Sequence, residues 1–133
     1  MIVIKVIADD GLGDVLNLNK PKTISFIGCV DNDIVDNTAG CVDDIDLNFD
    51  ITVPKKPQLA VGIKEFPPLD TGRTGGSRTF TYVQDATTIL TGVICDSLRN
   101  NSTIRWDLFT RTATVDDLGA ADTVTCEFTA TVL

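Results

Sequence analysis

From Thr123 to Val132 the chain alternates without a break. Val124, Cys126, Phe128, Ala130 and Val132 fall on one side, and Thr123, Thr125, Glu127, Thr129 and Thr131 on the other. Successive side chains of an extended chain point to opposite faces, so this pattern specifies a strand with one buried and one wetted face. Such a strand needs neighbours for its backbone groups and a second layer for its apolar side. The rest of the chain offers both. Ile2–Ala8 is rich in β-branched residues, and Val15–Asn19 returns after the glycine-containing turn Asp9–Asp14, which together predict a β-hairpin. Thr23–Gly28 reads as a third short strand. Leu47, Phe49, Ile51 and Val53 alternate with Asp46, Asn48, Asp50 and Thr52 until Pro54 ends the run. Leu59–Ile63 is a short apolar run, Arg78–Gln84 a further strand, and Ile104, Trp106 and Leu108 alternate with Arg105 and Asp107, with Val115–Asp122 as a turn region before the last strand.

One stretch carries a different period. After Asp85, a good N-cap residue, Ala86, Ile89, Leu90, Val93, Ile94 and Leu98 follow helical spacing, and Arg99 and Asn100-Asn101 suit a C-terminus. The spacing predicts a helix over about 86–99. The expected fold is therefore mainly β: a two-sheet sandwich or barrel with one flanking α-helix, a single domain over 1–133 with a long glycine-rich loop at 64–77. A chain of 133 residues, 43% apolar, is long enough to bury a real core.

The formal charge of −8 disfavours broad phosphate neutralisation and hence nucleic-acid binding by attraction. Its distribution says more. Residues 29–50 hold seven acids and no base, whereas 55–78 hold five bases against two acids. Segments of unlike charge suit a head-to-tail contact between copies, with Asp43 and Asp44 on one side and Lys55, Lys56, Arg73 and Arg78 on the other as the candidate inter-subunit residues. Met1–Ala8 has no basic region and runs into Asp9-Asp10, so no secretion signal is expected, and no apolar run reaches the length of a membrane span. The expectation is a chain made in the cytoplasm, with no membrane partner.

Chemistry-bearing motifs are few. The chain has no histidine, which removes the commonest general base and any histidine-assisted serine or cysteine nucleophile. Asp31-Asn32-Asp33-Ile34-Val35-Asp36 holds the first two spaced acids of a calcium loop but lacks the following glycine and closing glutamate. Gly72–Ser77 lacks the Gly-Lys-Ser/Thr that a phosphate loop requires. No enzyme activity, cofactor or metal is expected. Cys95 and Cys126 fall on apolar stripes, as small buried hydrophobes do. Cys29 and Cys41 flank a loop and can pair with each other or with a neighbouring chain.

Over Arg78–Leu133 the chain resembles phage tail tube proteins. The stretches that carry this are Arg-Thr-Phe-Thr-Tyr-Val, then Asp-Ala-Thr-Thr-Ile-Leu-Thr-Gly-Val-Ile, then Leu-Arg-Asn-Asn-Ser-Thr-Ile-Arg-Trp-Asp-Leu, and the closing Thr-Cys-Glu-Phe-Thr-Ala-Thr-Val. The resemblance implies a structural virion protein: a β-sandwich subunit with a flanking helix that stacks as hexameric rings around a channel. Its partners would be copies of itself, other tail proteins such as sheath, baseplate or terminator, and passing DNA held without specific binding. The opening strand and glycine-rich turn also resemble RNA-phage coat proteins, so a coat or decoration protein is the alternative. A soluble binding module is the alternative of another class.

Overall fold

The computed structural model describes residues 1–10, 18–31, 42–43, 45–66 and 77–133. In chain order the strands are β1 (Ile2–Asp9), β2 (Lys22–Asp31), β3 (Val42–Asp43), β4 (Phe49–Val53), β5 (Val61–Phe66), β6 (Ser77–Tyr82), β7 (Thr88–Ser97), β8 (Thr103–Asp107), β9 (Thr112–Asp117) and β10 (Val124–Val132), with a short 3-10 helix at Ile45–Leu47. One sheet has the order β5-β1-β10-β7. The other runs β3-β2-β6-β9-β8, with β4 also paired to β2. The result is a β-sandwich-like body of two facing sheets.

The alternating C-terminal segment sits at the centre of the first sheet. β10 lies parallel to β1, Ile4 opposite Cys126 and Val6 opposite Phe128, and antiparallel to β7. Ile2, Ile4, Val6 and Ala8 of β1, and Val124, Cys126, Phe128 and Ala130 of β10, are fully buried. Facing them are Ile24 and Phe26 of β2, Phe80 and Tyr82 of β6, and Ala113 and Val115 of β9. The Phe26 ring joins the layers. It meets Phe128 edge-on at 4.9 Å and Tyr82 at 5.9 Å, and stacks on Phe49 at 5.1 Å, geometries that aromatic rings prefer. Where β4 crosses to β5 the sheets come close enough that a Cβ on Gly62 would lie 2.3 Å from Ile51 Cγ2, so only glycine fits.

The helix expected over 86–99 is not formed; β7 occupies its place. Asp85 does act as a capping residue, but for a turn: its Oδ1 accepts from the Thr87 amide and hydroxyl, both at 2.7 Å. The chain then extends, as Thr87, Thr88, Ile89, Thr91, Val93 and Ile94 favour. An irregularity in the ladder explains the helical spacing. Leu90 pairs with Ala130 and Gly92 with Thr129, which leaves Thr91 as an extra residue. A bulge of this kind shifts alternation by one, so Leu90 and Val93, three apart, both turn toward the core.

Other boundaries also move. β1 pairs with β10 and β5, and Leu18–Lys20 are not in a strand; positions 15–17 of the expected hairpin partner lie outside the described residues. β2 extends through Cys29 to Asp31, Leu47 belongs to the 3-10 helix, and β9 takes up Val115–Asp117 from the expected turn. The loop expected at 64–77 begins later, since β5 runs to Phe66; positions 67–76 lie outside the described residues. Cys95 and Cys126 are not free thiols. They face one another across β7 and β10 and form a disulfide. Cys29 is also disulfide-bonded, with its partner outside the described residues.

Candidate functional site

The sheet registers define two ends of the sandwich. At one end β1 and β10 finish and β2 and β7 begin. At the other, β2 and β7 finish and β1 and β10 begin. Among the described residues twelve large apolar side chains are exposed, and seven of them belong to segments at the first end. Leu59 stands on the β4–β5 connection, and the carbonyl of the following Ala60 accepts from the Ala8 amide at 3.1 Å. Val83 follows β6, Ile89 opens β7, and the Leu133 amide donates to the Thr87 carbonyl at 2.8 Å. Trp106, Leu108 and Phe109 come from the β8–β9 hairpin, with Phe109 90% exposed.

That hairpin is held in shape from within. Asp107 Oδ1 accepts the Phe109 amide at 2.8 Å, an Asx-type turn. The Arg111 amide donates to the Leu108 carbonyl at 3.2 Å, Arg111 takes a φ of 60°, and its carbonyl accepts from the Tyr82 amide at 2.9 Å. The Thr110 and Thr112 hydroxyls are 2.8 Å apart. Leu108 and Phe109 are thus presented on a fixed backbone, which lowers the ordering cost of any contact they make. Lys22 is tied to Asp85 at 3.4 Å and to the Thr87 hydroxyl. Hydrogen bonds from the Thr87 hydroxyl and amide, with a further pull from Lys22, outweigh burial and bring the Asp85 carboxyl down to about 2. Beside these residues, Leu18, Pro21, Val132 and Leu133 line a hollow of about 360 Å³ together with Asp10, Lys20 and Lys22.

The opposite end is built differently. The Asp122 carboxylate is buried there and takes the Ser97 and Ser102 hydroxyls, the latter at 2.5 Å, and the Arg99 and Thr123 amides, each at 2.8 Å. Burial pushes this carboxyl up, but the four donors prevail and hold it at about 2. The clasp fixes the turn that follows β7, where Leu98 is 71% exposed. Asp96, Asp117, Glu65 and Asp43 are exposed toward the same end.

The predicted contact residues are divided between these ends. Lys55 and Lys56 follow Val53, which pairs with Lys22, and the Lys56 amide donates to the Leu18 carbonyl at 2.8 Å. Asp43 pairs with Cys29, seven residues further along β2, or roughly 23 Å at the usual rise per residue. Arg78 pairs with Val30 and so lies with Asp43, not with the lysines. Asp44 and Arg73 lie outside the described residues, as do 72–76 of the glycine-rich stretch and 32–36 of the calcium-like run. Among the described residues no three metal-ligating side chains converge, and no helix is long and apolar enough to cross a membrane.

Alternation puts Trp106 and Leu108 on one face of a strand, but β8 ends at Asp107, and Leu108 and Phe109 form its turn. The available signal was Asp107 two residues before Phe109, a turn-forming side chain among large apolar ones. No protein-family model matches this sequence, and neither a curated protein nor a solved structure matches the chain.

Proposed function

We propose that this chain is a structural subunit that assembles with copies of itself and performs no catalysis, in the manner of the phage tail tube subunits that residues 78–133 resemble. The observation that carries the self-assembly is that seven of the twelve exposed large apolar side chains among the described residues lie on segments at one end of the sandwich. Leu108 and Phe109 stand side by side on one turn, 46% and 90% exposed, and covering one Phe or Leu contributes about 1.5–3 kcal/mol. The disulfides agree with a particle component, since such bonds persist on virion and cell surfaces and are rare where thiols are kept reduced. The tail form itself rests on the resemblance, and β7 replaces the helix in the element order that carried it.

Negative-stain microscopy of the purified protein tests the reading. Tubes or hexameric rings are the expected result. Closed shells would assign the chain to a coat or decoration protein. A field of single subunits at high concentration would overturn self-assembly and leave a binding module.

A further inference from the structure

We infer that the outer edge of β7 is a docking site for an extended peptide segment of a partner protein, one with a β-branched residue to lie beside Ile94 and a cation to meet Asp96. The four-stranded sheet ends at β7, which pairs with β10 alone. One hydrogen bond fixes where its backbone groups point. The Leu98 amide donates to the Thr123 carbonyl at 3.0 Å, so these two residues form a hydrogen-bonded pair, and in an antiparallel ladder such pairs alternate with non-hydrogen-bonded ones. Asp96, Ile94 and Gly92 therefore turn their amides and carbonyls toward Thr125, Glu127 and Thr129 of β10. Val93 and Cys95 turn theirs away from the sheet, as Ser97 does its amide, while the Ser97 carbonyl accepts from the Asn100 amide at 3.2 Å. A row of outward donors and acceptors is what an added strand pairs with. The other edges among the described residues are guarded. β8 is five residues long, carries Arg105 and Asp107, and shifts register between Thr103 and Ile104. β3 has two residues, and β5 lies so close to β4 that Gly62 has no room for a Cβ. Shortness, charge, irregular register and cover are the usual protections of an edge. From Gly92 to Ser97, β7 keeps its register and has Asp96 as its one charge, with Ile94 58% exposed beside it. A second copy of β7 has no base to offer Asp96, and the chain carries −8; a basic extended peptide complements both.

The probe is the acetylated and amidated peptide Thr-Lys-Val-Ile-Val-Thr. Run antiparallel to β7, it sets its Lys opposite Asp96, its first Val opposite Cys95, its Ile opposite Ile94 and its second Val opposite Val93. In an NMR titration of the disulfide-bonded full chain, the amides of Val93, Cys95 and Ser97 should shift most. N-methylation of the first Val, whose amide faces Cys95, should weaken binding about tenfold. N-methylation of the Ile, whose amide points away, should change it less than about twofold. Equal effects of the two methylations, or no binding at millimolar peptide, would overturn the inference. On the protein side, Val93→Pro removes an outward amide and leaves the β10 ladder whole, which an edge strand tolerates. It should melt near wild type and lose the peptide; if it fails to fold, the methylated peptides decide. Asp96→Lys should weaken binding of this peptide and strengthen binding of the version with Glu in place of Lys; no such exchange would overturn the assigned cation. If Val93→Pro without peptide sediments as a smaller species than wild type, the edge belongs to a second copy and the inference fails. Phe109→Asp should bind the peptide as wild type does, so loss of self-assembly and loss of peptide binding are read separately.

Discussion

Asp122 sits between the turns that precede β8 and β10, and four donors converge on its carboxylate. Its folded-state value of about 2 lies below the ordinary 3.8. A lowered carboxyl stabilises the fold fully above the unfolded value and loses that contribution as the pH falls toward the folded one. The thermal midpoint should therefore be flat above about pH 5 and fall between roughly pH 4 and 2. Asp85, lowered in the same direction, adds to the same fall. Asp122→Asn keeps the shape but removes the charge from four donors, which should cost about 1–3 kcal/mol at pH 7 and make the acid fall smaller. Melts of both proteins from pH 2 to 7 check this; parallel curves would show that Asp122 does not carry the acid sensitivity. Nothing in the sequence marked this residue, because its donors come from turns brought together only by the packing of β7 against β10.

At the scale of elements, what could be read in advance depended on whether alternation ran undisturbed. β10 alternates throughout and appears where its pattern put it, and β4 and β6 are close to expectation. β7 does not, because the extra residue at Thr91 makes a strand mimic the spacing of a helix. Composition holds the counter-signal, six β-branched residues from Thr87 to Ile94, against the helical period. The pairing of β1 with β10, 122 residues apart in sequence at Ile2 and Val124, had no local signal at all. A substitution pair distinguishes strand from helix. Ile94 is 58% exposed on the outer face and Leu90 8% exposed on the inner one, whereas a helix would bury both. Ile94→Asp should leave soluble yield and melting temperature near wild type. Leu90→Asp should abolish soluble protein, since an unpaired charge in a core is far costlier than the 2–5 kcal/mol of a Leu→Ala change. Equal loss from both would contradict the strand.

The whole molecule has two chemically unlike ends. The charge segregation visible in the sequence survives in the fold only in part: Lys55 and Lys56 stand with the apolar end and Asp43 with Leu98 at the other, but Arg78 of the basic segment lies beside Asp43. The apolar end is not legible in the sequence, because its members come from the β4–β5, β6–β7 and β8–β9 connections, from β7 and β8 and from the end of β10, and only the topology brings these segments to one end. Self-assembly, as proposed, assigns this end to contact between copies and not to the fold itself. Sedimentation velocity of wild type and Phe109→Asp over a concentration series, beside their melting curves, measures that claim most directly. Wild-type mass should grow with concentration while Phe109→Asp remains at 14.3 kDa and melts at the same temperature. Two proteins that sediment alike at every concentration, or a variant that fails to assemble only because it has lost its fold, would contradict it.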